Sequence, residues 1–432
     1  MRGTSSTRRP TLWGLPLFTL AALGALALGA MTLTGVAADR ASADGGDALR
    51  PARPIEGPTT MARVGEQALE RLPWDMVLVR ARIGAGRPAA IAAIYLMSQD
   101  LLVIEENGRV TCLARRDLQP RWMWTLSGSL HRPPAEGSGH YVFLVRAPNG
   151  AYAVHALSRR TGVDTNGFPV RLPYGVSGGI GANAGMVWIS ALGSPYDNKT
   201  LTSLNLANGR PGWGWYTTGL LSADPVLDPS GKLLVICSDD GTVLAIEATA
   251  QTPLEPAWTV RGLGSITATP AVTPDHLIVG GHDGLVRCMD VRSGEVLWMQ
   301  NVGNAVKSDP WVLGGVEVEE RSTGVEGAPP IKVDTFKGLV FARSMSALCC
   351  FNLTDGEPLF TDTNGGKPLV RQGKWVVTLD RNRMATLRDA SDGYKAKGRL
   401  NLNMFDLMPA NESGGAIYGV TADGYVVAAI PR

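Results

Sequence analysis

Short apolar runs recur along most of the chain, and a polar turn follows each of them. The runs start 36 to 62 residues apart, with a mean interval of about 45 residues. A short apolar run bounded by turn residues is typical of a buried β-strand, and a repeat of this length is typical of a four-stranded propeller blade. The eight runs are residues 101–104, 141–144, 186–189, 233–236, 277–280, 339–342, 375–378 and 417–420.

Five of the eight runs are followed by a dipeptide that favours a tight hairpin turn. Asn-Gly and Asp-Gly adopt the positive φ angles that two-residue hairpin turns require. The other three runs are followed by residues 195–198, 343–346 and 380–383. The five dipeptides are Asn107-Gly108, Asn149-Gly150, Asp240-Gly241, Asp283-Gly284 and Asp423-Gly424.

The register continues beyond the turn, where a small residue stands ten positions before an aromatic residue in four of the repeats. This spacing predicts a buried small residue and an aromatic that packs one blade against its neighbour. Ala245 and Trp258 occupy these positions at a longer spacing, and Ala156 and Phe168 match loosely. The four pairs are Cys112 and Trp122, Ser203 and Trp213, Cys288 and Trp298, and Cys350 and Phe360.

The last repeat stops after the apolar strand at 425–430 and leaves no residues for an outer strand. A propeller avoids exposed sheet edges by closing into a ring. Residues 76–83, which alternate apolar and basic side chains, are the candidate for the missing strand. The sequence therefore predicts an all-β protein, an eight-bladed β-propeller of four-stranded blades, closed by an N-terminal strand.

The N-terminal segment has the character of an export signal. Arg2, Arg8 and Arg9 precede a stretch from 10 to 38 that contains no charged residue. Residues 1–38 are predicted to be either a signal peptide or a transmembrane anchor, and both remain open because the segment is long but ends in small residues before Asp39. The positive charges place the rest of the chain on the opposite side of the membrane from the cytoplasm.

Two short segments separate this signal from the propeller, which is predicted to span 74–432. Residues 39–58 contain few large apolar side chains and are predicted to form a disordered linker. Residues 59–73 are predicted to form a short amphipathic helix, with Pro73 at its end. Its apolar side would comprise Met61, Val64, Ala68, Leu69 and Leu72.

Composition agrees with a turn-rich globular body, since the chain has 52 Gly, 28 Pro and 19% charged residues. Without the three N-terminal arginines, 38 basic residues stand against 39 acidic residues. A body without excess positive charge is not expected to bind nucleic acid, because phosphate contacts need basic side chains. The longest interval contains an insertion at 316–330 with four Glu residues, which is either a solvated hairpin or a partner-contacting loop.

One unit resembles a known family repeat closely. Residues 277–298, LIVGGHDGLVRCMDVRSGEVLW, resemble the PQQ-like β-propeller repeat, and weaker copies cover about residues 95–432. That family includes quinoprotein alcohol dehydrogenases and, without a cofactor, the propeller lipoprotein of the outer-membrane barrel-assembly machine. The resemblance implies the fold and does not imply an activity. Phe360 in place of Trp and the absence of an aromatic in the seventh copy are departures from the pattern.

Candidate chemistry is sparse. The vicinal pair Cys349-Cys350 invites comparison with the vicinal disulfide of quinoprotein dehydrogenases, but Cys350 occupies the small-residue position of the repeat, which favours a structural role. Asp290, Glu247 and Asp389 recur at one strand position and are interpreted as turn-capping groups. The five histidines have no metal-ligand spacing: they are His131, His140, His155, His276 and His282.

The sequence therefore predicts no catalytic, cofactor-binding or metal-binding residue, and it favours a protein that is not an enzyme. The leading hypothesis is a non-catalytic scaffold or protein-interaction propeller on the periplasmic side of the cell envelope, with an unidentified envelope protein as its partner and the N-terminal segment at the membrane. One alternative is a small quinoprotein or other cofactor-dependent oxidoreductase, with PQQ and a divalent cation. Another is a sugar- or polymer-binding propeller.

Overall fold

A computed structural model describes residues 60–83, 90–193, 200–249, 255–314, 316–321, 331–336, 338–345, 347–412 and 414–432. The predicted signal or anchor at 1–38 and the predicted linker at 39–58 lie outside these residues. The described chain is built of β-strands apart from the α-helix Thr60–Leu69, called here the N-terminal helix, and the 3-10 helix Ala390–Asp392. No helix in the described part is long and apolar enough to cross a membrane.

Eight antiparallel sheets form the blades of a propeller. Within each blade the strands are numbered from the axis outwards. The first strands of neighbouring blades contact one another from blade 2 to blade 7 and between blades 8 and 1. The strands of blades 1 to 3 are as follows. Blade 1 contains Ile91–Leu96, Asp100–Glu105, Arg109–Ala114 and Pro120–Thr125; blade 2 contains Ser129–Leu130, Ala135–Gly137, His140–Arg146, Tyr152–Ser158 and Val170–Leu172; blade 3 contains Val176–Ala182, Met186–Ala191 and Leu201–Asn205.

Blade 3 lacks a regular fourth strand, and the bridges Leu201 to Trp215 and Leu204 to Pro211 stand in its place. Blades 4 to 7 each have four strands. Blade 4 contains Val226–Leu227, Leu233–Cys237, Val243–Glu247 and Trp258–Val260; blade 5 contains Ala271–Val272, His276–Gly280, Leu285–Asp290 and Val296–Asn301; blade 6 contains Trp311–Leu313, Leu339–Arg343, Leu348–Asn352 and Pro358–Asp362; blade 7 contains Gly365–Gln372, Trp375–Asp380, Met384–Asp389 and Lys395–Asn401.

Blade 8 joins the two ends of the described chain. Its first three strands are Phe405–Leu407, Ile417–Thr421 and Tyr425–Pro431, and its fourth is Met76–Arg82, the N-terminal strand. All seven residues of the N-terminal strand pair with the third strand, from Met76 opposite Pro431 to Arg82 opposite Tyr425. The predicted ring closure is therefore confirmed.

Each of the eight predicted apolar runs lies in the second strand layer from the axis, and its side chains are buried between neighbouring sheets. In blade 2 this layer is the strand His140–Arg146, because two short strands pair with it on the axial side. The predicted hairpin turns also form. Gly108, Gly150, Gly241, Gly284 and Gly424 all have φ between 79° and 86°, a region that favours glycine. The predicted turn at 195–198 lies outside the described residues.

Three of the four predicted pairs of a small residue and an aromatic lie directly opposite each other on the third and fourth strands. In blade 3, which lacks a regular fourth strand, the Ser203 hydroxyl instead donates a hydrogen bond to the Trp213 carbonyl. Cys112 faces Trp122, Cys288 faces Trp298 and Cys350 faces Phe360. The small side chain leaves room for the large ring to lie across the sheet. This confirms the register that the sequence predicts.

The indole rings then reach the next blade. The Nε1 atoms of Trp122, Trp258 and Trp298 donate hydrogen bonds of 2.8, 3.0 and 2.8 Å to backbone carbonyls of the following blade, from Arg159, Val291 and Leu353 respectively. Three residues after each carbonyl a glycine lies under the ring, where an added Cβ would come within 2.6 Å of the indole. These glycines are Gly162, Gly294 and Gly356.

The N-terminal helix packs against blade 8 with part of the predicted apolar side, since Ala68, Leu69 and Leu72 are buried, but its first turn is oriented differently. Met61 and Val64 are 42% and 41% exposed, whereas Ala62, Gly65 and Leu69 are buried. The prediction of Met61 and Val64 as buried residues is wrong because small residues bring the helix close to Phe405. A Cβ at Gly65 would lie 2.6 Å from the Phe405 ring.

The predicted insertion is a hairpin of its own. Strands Val316–Arg321 and Ile331–Phe336 pair with each other in a two-stranded sheet. This segment, called here the hairpin insertion, leaves blade 6 between its first and second strands. In the described part of the chain it belongs to no blade.

Candidate functional site

Charged side chains from blades that are not neighbours meet at the propeller axis. Asp224 of blade 4 has its Oδ1 atom 3.8 Å from Nε of Arg132 in blade 2. Burial and the charge of Asp224 raise the pKa of Tyr95 in blade 1, and Asp309 of blade 6 adds to the rise that burial causes in the pKa of Asp224. Enclosure by the surrounding protein and the charge of Asp309 raise the pKa of Glu412, which lies in the loop between the first two strands of blade 8. Because only the axis brings these blades together, we call these residues the axial ring.

Hydrogen bonds link the axial ring from blade to blade. The Thr269 backbone N–H donates to Asp309 Oδ1 at 2.7 Å, and the Asp224 N–H donates to Thr269 Oγ1 at 3.2 Å. Arg132 Nη2 donates to the Ser222 carbonyl at 2.9 Å. The Oδ1 atom of Asp224 is fully buried and accepts no hydrogen bond from the described residues. The ring therefore couples blades 4, 5 and 6 and leaves one carboxylate oxygen unsatisfied.

Glycines let blade 3 approach this ring closely. A Cβ at Gly179 would lie 2.2 Å from Asp224 Oδ1, and a Cβ at Gly181 would lie 2.3 Å from the Pro225 carbonyl. Any larger residue would push the first strand of blade 3 away from blade 4. The backbone of blade 3 therefore lies directly against the Oδ1 atom of Asp224.

This environment raises the pKa of all three carboxylic acids in the ring. Burial raises the pKa of Asp224 to about 6, with Arg132 acting to lower it and Asp309 to raise it. Burial also raises the pKa of Asp309. The Glu412 side chain is reached by solvent but enclosed by the ring, and this enclosure together with Asp309 raises its pKa to about 7.

A cavity of about 820 Å³ opens beside the axial ring. Four carboxylates and the indole of Trp311 line it, and no Lys, Arg or His side chain does so among the described residues. Glu136 is held by Arg159 at 2.9 Å, and Asp228 caps its own turn by accepting the Lys232 N–H at 2.8 Å. The four carboxylates belong to Glu136, Asp228, Asp309 and Glu412.

Two of the three acids interpreted as turn-capping groups act in that way. Asp290 Oδ1 accepts the backbone N–H of Arg292 at 2.9 Å and of Ser293 at 2.8 Å. Asp389 Oδ1 accepts the Ser391 N–H at 2.9 Å. Glu247 accepts a longer hydrogen bond of 3.3 Å from the Thr249 hydroxyl.

The vicinal cysteines lie within a sheet rather than at the axis. Both are free thiols on the third strand of blade 6, and neither lines the axial cavity. Cys350 is fully buried between Phe341 and Phe360, and burial raises the pKa of its thiol. The pair does not fit a contact with a quinone bound on the axis.

The histidines are dispersed as well. His155 Nδ1 lies 2.9 Å from Asp164, and His282 Nε2 lies 2.8 Å from the Thr267 hydroxyl. His140 bonds the Ser138 carbonyl. Across the described residues no three acidic, histidine or cysteine side chains could together hold a metal ion.

Reasoning from the sequence missed the axial ring, although a signal was present. Asp224, Thr269 and Asp309 each precede a proline that opens the first strand of a blade, and Arg132 precedes Pro133-Pro134. A residue before proline is restricted to extended conformations, which directs the chain into a strand. A polar residue and proline recurring at the blade period was the available clue.

These features define the class of the protein as an eight-bladed β-propeller with a polar axis. The family model described as outer membrane protein assembly factor BamB matches residues 153–398, and the chain belongs to this family of PQQ-like propellers. Outer membrane protein assembly factor BamB of Yersinia pestis is 24% identical over 262 residues. That alignment covers 58% of each chain, so the chain spans little more than half of the relative's length.

Two solved structures are similar in fold. BamB from Moraxella catarrhalis has a TM-score of 0.56 and 17% identity, covering 82% of this chain and 98% of that one. The computationally designed protein Ika8 has a TM-score of 0.50 and 12% identity, covering 81% and 98%. At these identities the two structures support the fold alone.

Proposed function

We propose that the chain is a non-catalytic scaffold of the bacterial cell envelope and binds another envelope protein. Membership of a family described by an outer-membrane assembly factor supports this proposal. The single observation that carries it is the hairpin insertion, which adds an extra two-stranded sheet to blade 6 without serving ring closure. Rigid scaffolds commonly display their binding residues on such additions.

The position of the hairpin insertion agrees with a binding role. Asn183, Asp228 and Glu412, which line the axial cavity, all lie in the connections between first and second strands. The hairpin insertion occupies the same connection in blade 6, so it leaves the ring at the same end. We call this end the cavity end and propose that it faces the partner.

The proposed location follows from the N-terminal segment. Residues 1–38, as signal peptide or membrane anchor, would place the propeller on the periplasmic side of the cytoplasmic membrane. The N-terminal helix and strand then follow the linker, so a retained anchor would hold the propeller by blade 8. The absence of a cofactor remains part of this proposal.

A photo-crosslinking residue placed at position 319, a glutamate on the strand Val316–Arg321 of the hairpin insertion, tests the proposed function in intact cells. We expect it to crosslink one envelope protein, identified by mass spectrometry. The same crosslinker at Met345, a 69% exposed turn residue at the opposite end of blade 6, is the control and should give no such product. Equal crosslinking at both positions, or a quinone chromophore in the purified propeller, would contradict the scaffold proposal.

A further inference from the structure

A second cavity of about 580 Å³ lies where the ring closes between blades 8 and 1. Arg115, Arg116 and Arg121 of blade 1 line one side of it. Tyr418 and Pro431 of blade 8 line another. We call it the seam groove. It combines concentrated positive charge with an apolar surface.

Arg115 is held in place by both blades. Its Nη1 atom donates to the Met97 carbonyl at 3.0 Å, and its Nη2 atom donates to Asn411 Oδ1 at 3.0 Å. The Tyr418 hydroxyl donates to the Arg115 carbonyl at 3.1 Å, and the guanidinium lies 5.6 Å from the Tyr418 ring centre. This guanidinium is therefore fixed before any ligand arrives, which reduces the entropy cost of binding.

The other two arginines have binding capacity left. Arg116 is exposed and makes no hydrogen bond or ion pair with the described residues. The Nε atom of Arg121 forms an ion pair with Oδ1 of Asp100 at 2.8 Å, and the Arg121 side chain is 41% exposed. Guanidinium groups present several donors in a planar fork that matches a carboxylate.

The neutral lining of the seam groove completes its chemistry. Gln99, Gln372 and Asn411 add amide groups, and no carboxylate lines the groove among the described residues. The axial cavity has the reverse character, with four carboxylates and no described basic side chain. The seam groove therefore favours an anionic ligand that also carries apolar groups.

We propose that the seam groove binds an acidic peptide segment of a partner protein. Arg116 and Arg121 would receive its carboxylates, and an apolar side chain of the segment would pack on Tyr418, Ile430 and Pro431. The concave shape and the apolar wall favour a peptide over a flat lipid surface. The inference deepens the proposed scaffold function, with the groove as a binding site separate from the hairpin insertion.

Binding to the purified propeller, residues 59–432, tests this inference. The probe is a fluorescein-labelled octapeptide of alternating Glu and Leu, followed by fluorescence anisotropy. We expect the paired change Gln99→Glu and Arg116→Glu to weaken binding by at least about tenfold, because it removes a charge-assisted contact and adds two repelling carboxylates. Arg116→Lys should weaken binding less, since the charge remains.

The matched control is Arg261→Glu, a charge reversal at an exposed arginine between blades 4 and 5. It should leave the affinity unchanged. Equal weakening by Arg261→Glu would overturn the inference, because binding would then follow net charge. Failure of the peptide to bind, or preferential binding to vesicles with 30% phosphatidylserine, would also overturn it. Neither result would affect the crosslinking at position 319, so failure of the groove and failure of the scaffold proposal are distinguishable.

Discussion

At the scale of residues, the contact between an indole and a glycine explains why a tryptophan and a glycine recur at fixed positions of the repeat. The Trp298 ring lies over Gly356 of the next blade and donates a hydrogen bond of 2.8 Å to the Leu353 carbonyl. The same close contact between an indole ring and a glycine recurs for Trp258 with Gly294 and for Trp122 with Gly162. Each contact joins two blades, so the aromatic position belongs to the interface rather than to one sheet.

Truncating Trp298 to Ala should therefore lower the free energy of unfolding by about 3 to 5 kcal/mol, as for other large buried aromatics. Chemical denaturation of the purified propeller measures this loss. Leu297→Ala, at a 47% exposed neighbour on the same strand, is the control and should change stability by less than about 1 kcal/mol. Similar losses in both variants would mean that the strand, not the blade contact, carries the effect.

Asp224 predicts a dependence of stability on pH. Its folded-state pKa of about 6 lies above the ordinary value of 3.8, so its contribution to stability is complete below about pH 4 and lost as the pH rises through 6. Asp224→Asn stays neutral and should avoid this loss. A shift of about two pKa units corresponds to about 3 kcal/mol, which sets the expected gain over wild type at pH 7.5.

Unfolding titrations at pH 4 and pH 7.5 measure this difference. Asp290→Asn serves as the control, because backbone N–H groups of its turn lower the pKa of Asp290 and reverse the sign of the effect. This variant should gain nothing as the pH rises. If Asp224→Asn were no more stable than wild type at pH 7.5, Arg132 would compensate the buried charge more fully than we infer.

Contacts between residues could be predicted from the sequence where both partners lie within one repeat. Cys288 and Trp298 face each other within one hairpin, so their spacing alone predicts the contact. Asp224 and Asp309 belong to blades 4 and 6, and only the ring brings them together. Their proximity follows from the number of blades, which one repeat does not reveal.

At the scale of elements, the N-terminal helix shows how small residues can outweigh apolar pattern. Phe405 lies between Gly65 of the helix and Gly419 of the second strand, where an added Cβ would come within 2.6 and 2.4 Å of its ring. Apolar periodicity favoured a face with Met61 and Val64, but close approach requires the face with Ala62 and Gly65. A sequence pattern is a better predictor of the presence of a helix than of the face that the helix buries.

Gly65→Ala tests this packing. Alanine favours helix over glycine by about 1 kcal/mol, so an unpacked helix would gain stability. We expect instead a net loss of about 1 to 3 kcal/mol in thermal or chemical unfolding, because the methyl group overpacks the Phe405 ring. Val64→Ala, at an exposed position of the same helix, should be almost neutral. A stabilised Gly65→Ala variant would show that the helix is not held against blade 8.

At the scale of the whole molecule, the ring is held by one pairing between distant parts of the chain. The N-terminal strand supplies the outer edge of blade 8 through all seven of its residues. Arg80 adds an ion pair of 2.7 Å to Glu66 of the N-terminal helix. The eight blades and this closure were predictable because strands could be counted, whereas the hydrogen bonds linking blades at the axis were not.

Deleting residues 76–82 should leave blade 8 with an unpaired edge, and unpaired edges promote association between chains. We expect aggregates in size-exclusion chromatography with light scattering, or a large loss of thermal stability. A deletion of residues 39–58 is the control and should leave a stable monomer. Two equally stable monomers would disprove the need for closure by this strand.

The same pairing has a consequence for the order of events in biosynthesis. Met76 and Pro431 are partners, yet one is made early and the other 355 positions later. At about 5 to 20 residues per second, the early strand waits tens of seconds for its partner. Individual blades can form during translation, but the ring can close only after the strand Tyr425–Pro431 has been synthesised. A truncation that removed the strand Tyr425–Pro431 would therefore leave the N-terminal strand without its partner, so a change late in the chain would appear as misfolding of a segment made early.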